Sequence, residues 1–134
     1  MNPHHFINWI ESLIRKGRIK DEVAIRRVIS AIYFALFNYW ARKRYDMESR
    51  AGGPLGDCFR YSQFHSELLR KGLDAEIILL YTYHVAVDHY TLNPTIIRIF
   101  DRALKKLGRV FRCKITSGIL TKIIQAARNI LAQI

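Results

Sequence analysis

Acidic residues are scarce in this chain: 11 Asp and Glu stand against 22 Lys and Arg, for a formal net charge of +11. Such an imbalance dictates no fold. It selects the partner, which should be a polyanion such as nucleic acid, or an acidic protein. Proline and glycine are also few, three and seven in 134 residues, and most fall at segment boundaries. A collagenous or low-complexity chain is therefore excluded, and long helices are favoured. Cysteine is nearly absent. Cys58 and Cys113 lie far apart, with no C-x-x-C and no Cys/His spacing, so neither a disulfide framework nor a zinc knuckle is encoded. They read as free thiols in a reducing compartment. No apolar run approaches the roughly 20 residues of a membrane span. Met1-Asn2-Pro3-His4-His5 lacks the pattern of a signal peptide, so a cytoplasmic protein with no membrane association is expected.

Half of the residues are apolar and a quarter charged, as in an ordinary globular domain, and the length suits a single one, 1–134. Asn2-Pro3 reads as a helix cap with proline in the first turn, and Gly17 stops the helix. Asp21 caps a longer helix, about Glu22 to Arg44, with apolar residues on more than one side; it should be central. Tyr45 to Asp57, with Gly52-Gly53-Pro54, reads as a loop. Further helices are expected at about Cys58–Lys71, Asp74–Tyr90 and Thr95–Leu107, closed by Gly72, Leu92-Asn93-Pro94 and Gly108. Ser117 opens a last stripe, Ile119, Leu120, Ile123, Ile124, Ala127, Ile130 and Leu131, and 109–134 reads as a C-terminal helical addition. Only Val110 to Thr116 leaves strand or helix open. The expected fold is all-α, an antiparallel up-and-down bundle of five to six helices, with Tyr33, Phe34, Phe37, Leu80 and Ile123 in its core.

Two stretches carry a family likeness. Ile29-Ser30-Ala31-Ile32-Tyr33-Phe34-Ala35-Leu36-Phe37 is similar to the S-R-A-Y-Y-A-L-F signature of the HEPN domains, and Val87-Asp88-His89-Tyr90-Thr91-Leu92 resembles their A-D-Y-x-L signature. The resemblance spans about Glu22 to Lys106. It implies a helical bundle that pairs as a homodimer and acts on RNA or a nucleotide, or partners a minimal nucleotidyltransferase, in some members within a toxin–antitoxin system. Aromatics near the expected cleft, such as Tyr61, Phe64 and Tyr83, would suit the dimer interface.

The ribonucleases of that family, as the resemblance implies, use an arginine and a histidine four to six residues apart, without metal. Histidine moves a proton at a ribose hydroxyl and arginine holds the phosphate. Arg60-Tyr61-Ser62-Gln63-Phe64-His65 is the one such spacing here. On a helix these two side chains diverge by about 140°, so they would flank a phosphate rather than touch. Tyr61 departs from the pattern, which usually places a polar residue after the arginine. The alternative pair is His84 and Asp88, four apart on one helix face, where many members carry an arginine in place of His84. No third ligand accompanies that pair, so no metal and no cofactor is expected. A P-loop, G-x-S-x-G and HExxH are all missing.

From Thr91 onward nine basic residues face one acid, Asp101. Within this stretch Arg98, Arg102, Lys105, Lys106, Arg109 and Arg112 form the candidate nucleic-acid-binding face; its plainer reading is a solvated basic surface. The expected function is a basic HEPN-like module binding RNA, a nucleotide or a nucleotidyltransferase partner. The alternatives are an active metal-independent endoribonuclease toxin and a basic helical nucleic-acid-binding protein outside that family.

Overall fold

The computed structural model describes residues 1–50, 52, 59–90, 95–98, 103–104 and 110–134, with 95–98 and 110–112 described at the backbone. Among the described residues five helices pack as a bundle: α1 (Pro3–Arg15), α2 (Glu22–Arg50), α3 (Tyr61–Arg70), α4 (Asp74–His89) and α5 (Ser117–Leu131). None of them is long and apolar enough to cross a membrane. Between α4 and α5 runs an antiparallel ribbon of β1 (Thr95–Arg98) and β2 (Val110–Cys113), in the register Thr95↔Cys113 to Arg98↔Val110.

The helix expected from Thr95 is thus a strand at its start. Thr95-Ile96-Ile97 is β-branched throughout, and its residues find partners in Val110–Cys113, the segment whose period is ambiguous. A cross-strand partner, which no local pattern reveals, decides between helix and strand here. A second difference lies in α2, which runs on through Tyr45 to Arg50. Two ion pairs at i,i+4, Arg42–Asp46 at 3.1 Å and Arg44–Glu48 at 3.9 Å, support these extra turns on a surface with little apolar signal.

Twin turns end α1 and α3. Each is written Arg-Lys-Gly, at Arg15-Lys16-Gly17 and Arg70-Lys71-Gly72. The glycines take φ of +65° and +75°, a region costly for residues with a Cβ. Arg18 N–H then reaches Leu13 O, and Leu73 N–H reaches Leu68 O, both at 2.9 Å, which satisfies carbonyls that the helix leaves open. The cations beside them complement the negative end of the helix dipole.

Directions follow from side-chain bonds. Arg26, near the start of α2, donates to the carbonyls of Ala86 and Val87 at 3.2 Å and Tyr90 at 2.5 Å, so α2 and α4 run antiparallel. Asn129 bonds Glu76 across α5 and α4, and Arg128 meets Glu11 of α1 at 2.5 Å. The first and last helices therefore close the bundle. The core runs through Ile7 and Ile10, Ile25 to Leu36 of α2, Phe64 and Leu68, Ile77 and Leu80, and eight buried residues of α5. Of the expected core residues Tyr33, Leu80 and Ile123 are fully buried, and Phe37 is half-buried; Phe34 faces outward, with 36% of its surface exposed. Tyr33 and Phe34 are adjacent and about 100° apart around the helix, so only one of them can point inward.

Ile123→Ala should cost about 2–5 kcal/mol of unfolding free energy, whereas Phe34→Ala should cost under about 1 kcal/mol. Denaturant melts of the two variants check this, and equal losses would mean that the core is misplaced.

Candidate functional site

The chemistry-bearing side chains converge where α2, α3 and α4 meet, around Tyr33. Its hydroxyl is 2.8 Å from His65 Nε2, and its ring stacks on the imidazole of His84, centroids 4.0 Å apart and 13° from parallel. Helix spacing explains the meeting. His84 and Asp88 lie on one face of α4, Ser30 and Tyr33 on one face of α2, and α3 turns His65 inward next to Phe64.

Asp88 sits at the rim. Ser30 Oγ donates to its Oδ2 at 3.1 Å, and His84 Nδ1 lies 2.8 Å from the same oxygen. The carboxylate is off the line of the ring N–H, so among the described residues Nδ1 makes no aligned hydrogen bond. The contact is electrostatic. Burial pushes the His84 pKa from near 6.5 down to about 4; Asp88 pulls it up, and His89 and His65 push it down further. Desolvation wins, and the ring is neutral near pH 7. Behind it the Thr82 hydroxyl is buried with no partner among the described residues. On the solvent side, Arg26, Arg27, Ser30, Val87 and Asp88 line a cleft of about 370 Å³.

The two candidate pairs fare differently. His84 and Asp88 are brought together, but the imidazole is only 6% exposed. Arg60 and His65 are separated. Arg60 is exposed at the N-cap of α3, where its N–H donates to Gln63 Oε1 at 2.8 Å, while His65 is fully buried in the core. The divergence expected from helix geometry points one into water and the other at Tyr33, so this pair forms no joint site in the chain. Phe64, expected at an interface, is fully buried, whereas Tyr61 is 40% exposed and Tyr83 half-buried. Arg102, Lys105, Lys106 and Arg109 lie outside the described residues, as does Cys58; Arg98 and Arg112 stand on β1 and β2. Burial raises the Cys113 thiol to about 11, which leaves it a poor nucleophile. No group of three or more metal-capable side chains occurs among the described residues.

Sequence reasoning places Tyr33 in the core without showing its role as the post between two histidines. It misses Arg26 altogether. The available signal is a cation four residues after Glu22, which pairs with it at 2.8 Å.

Because the folded chain resists protonating His84 and the unfolded chain does not, acid favours unfolding. Stability should be full above about pH 6.5 and fall by about 2 kcal/mol between pH 7 and 5, on the way to the folded pKa. Melts of the His84→Gln variant should show a flatter pH dependence; curves parallel to the parent would assign the effect to another group. Comparison with family models, with curated proteins and with solved structures finds no match to this chain.

Proposed function

We propose that this chain is a basic, HEPN-like helical module that binds RNA and does not cut it. The observation that carries the reading is a set of exposed cations without acidic partners. Arg15, Lys16, Arg18 and Lys20 surround Gly17 in the turn after α1, all four exposed, and no ion pair engages them among the described residues. A turn locked by backbone hydrogen bonds holds these charges in one place, which suits successive phosphates better than a flexible tail would. The Arg98–Arg112 segment adds further cations by sequence and is proposed as part of the same polyanion contact.

Burial argues against catalysis. A general base needs hydrogen-bond reach to the proton it takes. His65 spends its Nε2 on Tyr33, and His84 is walled in between Tyr33, Phe34 and Asp88. The exposed rings of Phe34 and Tyr61, 6.4 Å apart, favour a protein contact as well. A second copy of the chain or a minimal nucleotidyltransferase is the proposed partner there; light scattering that reports a monomer at tens of micromolar would remove the homodimer.

Binding to single-stranded RNA should weaken with salt, with a slope of log affinity on log salt near −3.5 if about five phosphates are neutralised. Changing Arg15, Lys16, Arg18 and Lys20 to Gln should flatten the slope by about 0.7 for each phosphate left without its cation. Lys105, Lys106 and Arg109 changed to Glu should abolish binding. Unchanged affinity in both variants would reduce the basic surface to solvated charge. Metal-free cleavage that leaves a 2′,3′-cyclic phosphate and disappears in His65→Ala would restore the ribonuclease reading.

A further inference from the structure

We infer that a cleft between α2 and α3, away from the Tyr33 cluster, is a binding site for a terminal phosphate, borne by a small phosphomonoester or by the 5′ end of a nucleic acid. The cleft measures about 380 Å³, toward the small end of ligand sites, and is lined by Trp40 and Arg44 of α2, Phe59, and Ser62, Ser66 and Arg70 of α3.

Ser62, Ser66 and Arg70 follow one another at intervals of four, so two hydroxyls and a guanidinium form a ladder along one helix face. Among the described residues no hydrogen bond or ion pair engages any of the three side chains. Across the gap, the Arg44 guanidinium lies 5.8 Å from the Trp40 ring centre and 3.4 Å from Glu67 Oε1. The other Glu67 oxygen accepts the Trp40 indole N–H, so the carboxylate is engaged at both ends and acts as a brace for Arg44. Glu48 reaches Arg44 only at 3.9 Å.

A tetrahedral dianion set between Arg44 and Arg70 accepts hydrogen bonds from two guanidiniums and two hydroxyls, a donor set that matches phosphate oxygens. Internal phosphodiesters have one charge and two substituted oxygens, so they fill the ladder less well than a terminal group. Trp40 is only 3% exposed and is already covered by Arg44, so it is a floor and not a shelf for a base. Recognition rests on the phosphate. With a nucleic-acid source the inference rests on the RNA reading above; with a small phosphate it stands alone.

The test titrates the intact chain with inorganic phosphate, with adenosine 5′-monophosphate, and with two oligoribonucleotides identical except for a 5′-phosphate or a 5′-hydroxyl. Wild type, Arg70→Gln and Ser66→Ala are compared; Arg70 lies on the surface and Ser66 is small, so both variants should fold. The expected result is about tenfold or stronger preference for the 5′-phosphorylated strand, erased in Arg70→Gln and cut about threefold in Ser66→Ala. Monophosphate binding that depends on Arg70, with neither strand bound, would fix the small-molecule source and defeat the RNA reading alone. Equal affinity for the two strands with no monophosphate or phosphate binding would overturn the site and leave the RNA reading intact. A 5′-phosphate preference that survives both variants would overturn the site as well. Silence from every probe would end both.

Discussion

A buried phenol must find a hydrogen-bond partner, and in this bundle that requirement ties three helices together. Tyr33 on α2 meets His65 on α3 through its hydroxyl and His84 on α4 through its ring. The packing of the rest follows. Phe64 beside His65 fills the space under Trp40, and Leu80 fills the turn before His84, both fully buried. An apolar core of the same volume would hold these helices together without fixing their rotation. The Tyr33 contacts fix it, since a slip of one residue would strand two imidazoles and a phenol at once.

The same requirement shapes the electrostatics. Both imidazoles are sealed against Tyr33, so the exposed positive charge of the described residues lies elsewhere. It lies at the rims, where Arg15 to Lys20 surround one end of the bundle and Arg44 and Arg70 flank a cleft at another. Arg26 shows the third use of a cation, turned inward to close the end of α4. Side chains of like charge thus divide into helix cap, cleft wall and exposed donor according to what packs beside them.

Much of the bundle is legible in the residues. Periodic runs bounded by Asn2-Pro3, Gly17, Asp21, Gly72, Asp74 and Ser117 locate all five helices found among the described residues, because caps and stops are local chemistry. By sequence α5 reads as an addition, yet it supplies Ile119 to Leu131 to the same core as α2 and α4; its clean stripe announces burial but not against what. The strand at Thr95–Arg98 depends on partners distant in the sequence, and the extra turns of α2 on weak surface pairs. Among site residues, the His84–Asp88 contact follows from a spacing of four. The spacing of Arg60 and His65 is equally visible, but the fold exposes one and buries the other, because a spacing does not say which residue faces the core. The ladder of Ser62, Ser66 and Arg70 is just as open to reading, but only the opposing Arg44, 26 positions before Arg70, makes it a site.

The closure of α1 against α5 links residues nearly a chain length apart: Arg128 reaches Asn8 and Glu11 across 120 and 117 positions. During synthesis the ribosome delivers α1, α2 and α4 well before α5 exists. Until Leu131 emerges, the nascent chain carries an open apolar trough along α2 and α4 that α5 has yet to cover. Local helices form early, but the cooperative core must wait for the last one. A basic, incomplete bundle of this kind is the species a chaperone would meet in the cell, and a stop codon anywhere before Ser117 would leave it permanently in that state.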